Sequence, residues 1–202
     1  MSRRAISLVM LAALCGAPSC AGALTVAEAY TSVSLSPPTT TLVIICHGIG
    51  CQLRTAIGLT AGDRARLAEL LAPGRAPAAA ERSAVAAAAA WFDKRVGPAA
   101  GTTHRLARAH ASAPETAGQM DCIDTSRNTT SLLLILEQLH LLHHHKVEGP
   151  EARGYVINLV GPHATAVLTD IHTGRQWAVD SWTHKYGERP DIMLLDEWMK
   201  KE

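Results

Sequence analysis

The sequence predicts an α+β domain: a helical first half, one central buried helix, and a small antiparallel sheet packed on it. Three observations predict this. An alanine-rich stretch occupies the first half, leucines fill a long run after Cys122, and short β-branched runs between turn residues follow it. No internal repeat interrupts that order.

The N-terminus decides which residues belong to the folded protein. Ser2-Arg3-Arg4 is basic, Ala5 to Ala17 is apolar, and Ala21-Gly22-Ala23 offers small residues for a signal peptidase. That order predicts a secretory signal over residues 1–23, too short to span a membrane in the mature chain. A lipoprotein signal would need an aliphatic residue three before Cys20, where Ala17 stands instead. Cleavage after Ala23 removes two arginines and no acid, which moves the formal charge from +1 to −1. Such a balance gives no reason to expect nucleic acid as a partner. The longest later apolar run, Leu132 to Leu142, is interrupted by Glu137, Gln138 and His140, so no membrane span is expected in the mature chain. The expected location is periplasmic or secreted.

Residues 24–40 are expected to form an N-terminal arm, since Tyr30 to Thr40 is rich in Ser, Thr and Pro, and residues 41–202 a single domain. Thr41 to Cys46 reads as a buried strand ended by His47-Gly48. Asp63 is the expected cap of a helix to Leu71, with Leu67, Leu70 and Leu71 on one side and Pro73-Gly74 as its breaker. Pro77 starts the alanine-rich helix, which places Val85, Ala88, Ala89 and Phe92 on one face and is expected to stop at Gly97-Pro98 after Val96. Gly101 to Gly118 is a loop or a weak helix. From Cys122 or Asp124 the leucine-rich helix is expected to reach His144 before Glu148-Gly149-Pro150, with apolar residues around its circumference. Strands are expected at Tyr155–Val160, His163–Thr169 and Gln176–Ser181, the last two joined as a hairpin through His172-Thr173-Gly174.

Removal of the signal takes Cys15 and Cys20, leaving Cys46, Cys51 and Cys122. Cys46 and Cys51 flank His47-Gly48-Ile49-Gly50, a glycine-containing turn that suits a disulfide in an oxidising compartment. Cys122 is then unpaired, either a reactive thiol or a small buried hydrophobe. At a helix start a thiol is favoured as thiolate, and an imidazole steadied by a carboxylate would be its base. His163 opens one predicted strand and Asp180 lies near the end of its hairpin partner.

A cysteine at the head of a buried helix, His163-Ala-Thr-Ala-Val-Leu168 on one strand and Trp177-Ala-Val-Asp-Ser181 on the next resemble the bacterial transglutaminase-like cysteine peptidase group of the papain-like superfamily. The resemblance covers Gly118 to Trp182. It implies that fold, with Cys122 as nucleophile, His163 as general base and acid, and Asp180 as orienting carboxylate. The residues after Cys122, Ile-Asp-Thr-Ser-Arg-Asn, depart from the acidic-then-aromatic pattern of many members.

The expected function is an exported thiol-dependent amide hydrolase or acyltransferase acting on a peptide or protein amide, with no cofactor. The alternative is an inactive binding or assembly module of the same fold. The backbone N–H of Cys122 is a candidate oxyanion donor, and Gln119 is either a side-chain donor to the oxyanion or a solvated loop residue. Asp121 and Asp124 read as helix caps. Asn128-Thr129-Thr130 matches a glycosylation triplet inside a predicted helix. His140 and His144 have the spacing of a helical zinc pair, but no His-Glu-x-x-His pattern accompanies them, and cations ending a helix are the simpler reading. The His47-Gly48 segment after a strand suggests an α/β-hydrolase oxyanion loop, yet no Gly-x-Ser-x-Gly elbow exists. A Cys-x-x-Cys-His haem motif is also missing.

Overall fold

A computed structural model describes residues 24–113, 116–154 and 162–201. The predicted signal peptide and the strand expected at 155–160 lie outside the described residues. In chain order the elements are α1 (Val26–Thr31), β1 (Leu42–His47), β2 (Leu53–Gly58), α2 (Ala61–Leu71), α3 (Ala78–Ala100), α4 (Cys122–Gln138), β3 (His145–Arg153), β4 (His163–Asp170), β5 (Gln176–Asp180), β6 (Asp191–Leu194) and α5 (Leu195–Trp198). They form a mixed α+β structure with two antiparallel sheets, a β1–β2 hairpin and a sheet ordered β3-β4-β5-β6. Among the described residues no helix is long and apolar enough to cross a membrane.

α4 is the centre. Leu132, Leu133, Ile135 and Leu136 are fully buried, so the helix is covered on every side. Ala166 and Leu168 of β4 and Val179 of β5 pack in the same cluster as these leucines. Val167 and Ala178 alternate to the opposite face, where Leu195 and Trp198 of α5 cover them. The sheet therefore has α4 on one face and the chain's C-terminal helix on the other.

Several elements differ from the sequence expectation, each for a local reason. The stretch expected as an arm contains α1, and Tyr30 is in the core with its hydroxyl 2.6 Å from Ser131 Oγ. Burial pushes its phenol up to about 12. β2 was not expected, because only Ile57 of its six residues is buried and it lacks an apolar run. The cap of α2 is Thr60, three residues before Asp63; the two make reciprocal hydrogen bonds as a capping box. Arg95 also holds Asp63 (Nε–Oδ1 2.7 Å) and draws its carboxyl down to about 2.

α3 passes through Gly97-Pro98 rather than stopping there. Pro98 has no N–H for the carbonyl of Lys94, and the Tyr186 hydroxyl donates to that oxygen instead, at 3.2 Å. Gly97 leaves the space that the Tyr186 ring occupies. The end of α4 was expected at His144 but comes at Gln138. Glu81, fully buried on α3, explains the difference: its carboxylate accepts the backbone N–H of His143 (2.6 Å) and His144 (3.1 Å) and the Nδ1–H of His145 (2.8 Å). That pull turns the chain into β3, where a register shift between Glu148 and Glu151 accommodates Gly149 and Pro150.

Candidate active site

The N-terminus of α4 is built from two carboxylates and a disulfide loop. Asp121 is the N-cap; its Oδ1 accepts the N–H of Asp124, and Asp124 Oδ2 accepts the N–H of Asp121 in return. Cys46 and Cys51 are joined as a disulfide across the β1–β2 turn. Gly48, Ile49, Gly50 and Cys51 all have left-handed backbones, with φ of 78°, 68°, 65° and 59°. A run of that kind turns successive N–H groups to one side. Ile49 and Cys51 donate to Asp124 (3.0 and 2.6 Å) and Gly50 donates to Asp121 Oδ2 (2.9 Å). Burial first, and the neighbouring Asp121 charge second, push the Asp124 carboxyl up to about 7 against these hydrogen bonds. The sequence reading of Asp121 and Asp124 as caps thus covers only half of what they do.

His163 and Asp180 meet. The hairpin register pairs Ala166 with Val179 and Val167 with Ala178, and its continuation sets Asp180 level with Thr165, two residues along from His163 on the same face. His163 Nε2 lies 2.6 Å from Asp180 Oδ2, and both side chains are buried. Trp198 Nε1 donates to the same oxygen at 2.9 Å, and the N–H of Trp182 donates to Oδ1 at 3.2 Å. Burial alone would raise the Asp180 carboxyl, but the His163, Trp198 and Trp182 hydrogen bonds outweigh it and keep it below the ordinary value. An ionised carboxylate only accepts, so Nε2 carries the proton and Nδ1 is the basic nitrogen. His163 Nδ1 is buried and has no hydrogen-bond partner among the described residues. The indoles of Trp182 and Trp198 flank the ring at 4.6 and 5.1 Å between centroids.

Cys122 is the first residue of α4 and is 9% exposed. His163 and Asp180 are on the Val167–Ala178 face, the one that α5 covers. The thiol donates to the carbonyl of Pro162, 3.6 Å away, and among the described residues makes no hydrogen bond to His163. Burial raises its pKa above the ordinary value; the Ala164 N–H opposes this and the Asp121 charge adds to it. The resting group is a neutral thiol. Cys122 and His163 nevertheless line one cavity of about 600 Å³, with Ile49, Arg108, Arg153 and Trp182 among its walls.

Gln119 is buried and its Oε1 accepts the N–H of Leu106 at 2.8 Å, while its carbonyl accepts the N–H of Gly48. It braces two loops through its acceptors, so it is not the solvated loop residue considered from sequence. Asn128 is also structural: it donates to the Cys46 carbonyl and accepts the Cys46 N–H, each at 2.8 Å, so the glycosylation triplet is buried in a helix. The histidine run does not end a helix, since α4 stops before His140. His145 Nε2 accepts from Arg82 (3.2 Å) while Nδ1 donates to Glu81, which occupies both ring nitrogens.

The sequence reading missed Trp198. Nothing in a four-residue helix at the C-terminus signals contact with a strand acid, and only the fold brings its indole to Asp180. Comparison of the chain with protein-family models, with curated proteins and with solved structures finds no match.

Proposed function

We propose that the protein is a thiol-dependent amide hydrolase or acyltransferase with Cys122 as nucleophile, His163 as base and acid, and Asp180 as the group that orients the ring. The observation that carries this reading is the buried His163–Asp180 pair, whose histidine has a bare Nδ1 and lines the same cavity as the only free thiol among the described residues. The chain order of a cysteine-headed helix followed by histidine and aspartate on adjacent antiparallel strands supports a transglutaminase-like, papain-like arrangement. Export to a periplasmic or extracellular setting is part of the proposal. The basic, apolar and small-residue order of the N-terminus supports it, and the Cys46–Cys51 disulfide is compatible with it.

In this mechanism the thiol leaves the Pro162 carbonyl and meets Nδ1 when an acyl group enters the cavity. Nδ1 takes the S–H proton as sulfur attacks the carbonyl carbon, and Asp180 stabilises the imidazolium so formed. The N–H groups of Cys122 and Ile123 stand at the head of α4, where backbone donors have no partner within the helix, and in this mechanism they serve the developing oxyanion. His163 then gives the proton to the leaving amine, and the C–N bond breaks. Water or a second amine, deprotonated by Nδ1, attacks the thioester and frees the sulfur. Because the resting thiol is neutral, activation depends on proton transfer during attack rather than on a preformed ion pair.

A second reading has its own observation. A thiol bonded to a carbonyl and raised by burial is what an inactive binding module would carry. p-Nitrophenyl acetate separates the two. A catalytic Cys122 gives a stoichiometric nitrophenol burst with one acetyl on Cys122 by mass spectrometry, and H163A slows that burst by about 10²-fold. Acetylation no faster than that of the urea-unfolded chain would establish the binding-module reading.

A further inference from the structure

Arg108 is exposed on the cavity wall and its backbone is fixed in an unusual way. Its φ of 57° is left-handed for a non-glycine residue, and Trp182 clamps the turn from both sides. The Arg108 N–H donates to the Trp182 carbonyl, and the Trp182 indole N–H donates to the carbonyl of Ala109, each at 2.8 Å. The same indole flanks His163, so the loop that presents Arg108 is tied to the wall that holds the base. Among the described residues the Arg108 guanidinium makes no hydrogen bond or ion pair. Arg153, paired with His163 across β3 and β4, also lines the cavity; it stacks on Trp198 at 4.4 Å and donates to the Trp198 carbonyl, which fixes its charge at the rim. Asp121 is the acid on that wall, and its two oxygens already accept the N–H groups of Asp124 and Gly50.

We infer that this cavity selects an acyl substrate carrying an anionic group, a carboxylate, beside the bond to be cleaved, with Arg108 as its main partner. The inference rests on the thiol-acyl-transfer reading above and names the substrate class of the same site. A guanidinium matches a carboxylate in shape and charge, and a clamped backbone reduces the ordering cost of the contact.

Two small electrophiles test it without knowledge of the natural substrate. Iodoacetate and iodoacetamide both attack the same thiolate, so the ratio of their rates at Cys122 cancels the thiol's ionisation and reports the cavity's charge. The urea-unfolded chain, disulfide intact, supplies the reference ratio. Folded protein is expected to favour iodoacetate about fivefold over that reference, the effect of a modest ion pair, and added salt reduces the preference. R108Q returns the ratio to the reference, while R108K keeps most of it. An unfolded-like ratio in the folded wild type, or one that R108Q leaves unchanged, overturns the inference while leaving the cysteine reading intact. If neither reagent labels folded Cys122, the cysteine reading fails and this inference fails with it. Protection from iodoacetamide by N-acetyl-Ala-Ala with a free terminal carboxylate identifies a chain end as the anion. Protection by N-acetyl-Ala-Glu-Ala-amide identifies an acidic side chain, and protection by neither overturns the assignment.

Discussion

Trp198 and His163 donate to the same oxygen of Asp180, at 2.9 and 2.6 Å, so the C-terminal helix and the start of β4 are joined through one buried carboxylate. The indole N–H is one of the groups that keep the acid ionised below its ordinary range.

Trp198→Phe keeps a ring but removes that donor. At pH 7 the expected cost is about 1–3 kcal/mol of stability, the range for a hydrogen bond to a buried charge. A lowered acid stabilises the fold above its unfolded pKa of about 4 and loses that contribution as pH falls through the folded value. The variant raises the folded value, so its deficit shrinks in acid. Urea unfolding at pH 7 and pH 3 measures this, and an equal deficit at both would mean that the indole acts by packing alone.

The Cys122 thiol is expected to titrate above the ordinary thiol value, because burial raises it and the Asp121 charge adds to the effect. Asp121→Asn retains a capping side chain and removes the charge, so its midpoint moves down. Iodoacetamide rates against pH give both midpoints. A wild-type midpoint below about 8.5 would indicate a thiolate stabilised by a nearby cation, contrary to the resting state described above.

Asp124 sets a second pH dependence. Its folded pKa of about 7 lies above the unfolded value, so the folded chain holds an extra proton between the two. Stability therefore falls as pH rises from about 4 through 7 and levels off beyond. Asp124→Asn is expected to flatten that slope. Chemical denaturation across pH 4–8 reads it directly, and an unchanged slope would assign the titration to another group.

Reduction of the Cys46–Cys51 disulfide opens a short loop whose closure contributes about 2 kcal/mol by chain entropy. The same loop supplies three N–H groups to Asp121 and Asp124. Urea unfolding with and without reductant should show a loss of that size or more. Hydrogen exchange should show Ile49, Gly50 and Cys51 losing protection together, and retained protection would mean the carboxylates alone hold the loop.

Much of the architecture was legible in the chain. Leucine all around the stretch after Cys122 marks a buried helix, β-branched runs about His172-Thr173-Gly174 mark a hairpin, and its register then brings His163 to Asp180 because side-chain direction alternates along a strand. The five-residue spacing of Cys46 and Cys51 anticipated their disulfide. These are local or near-local patterns, and composition carries them. The end of α4 was not legible, because Glu81 on another helix captures the N–H groups of His143 and His144. Pro98 was read as a stop because the tyrosine that satisfies the freed Lys94 carbonyl lies 92 positions away. Which way the Cys122 hydrogen points, what surrounds Asp180 and which charges border the cavity depend on contacts between distant segments. Sequence by itself determined the residue types available for chemistry; only tertiary packing decided their partners and solvation, since both are set by groups that meet across the fold.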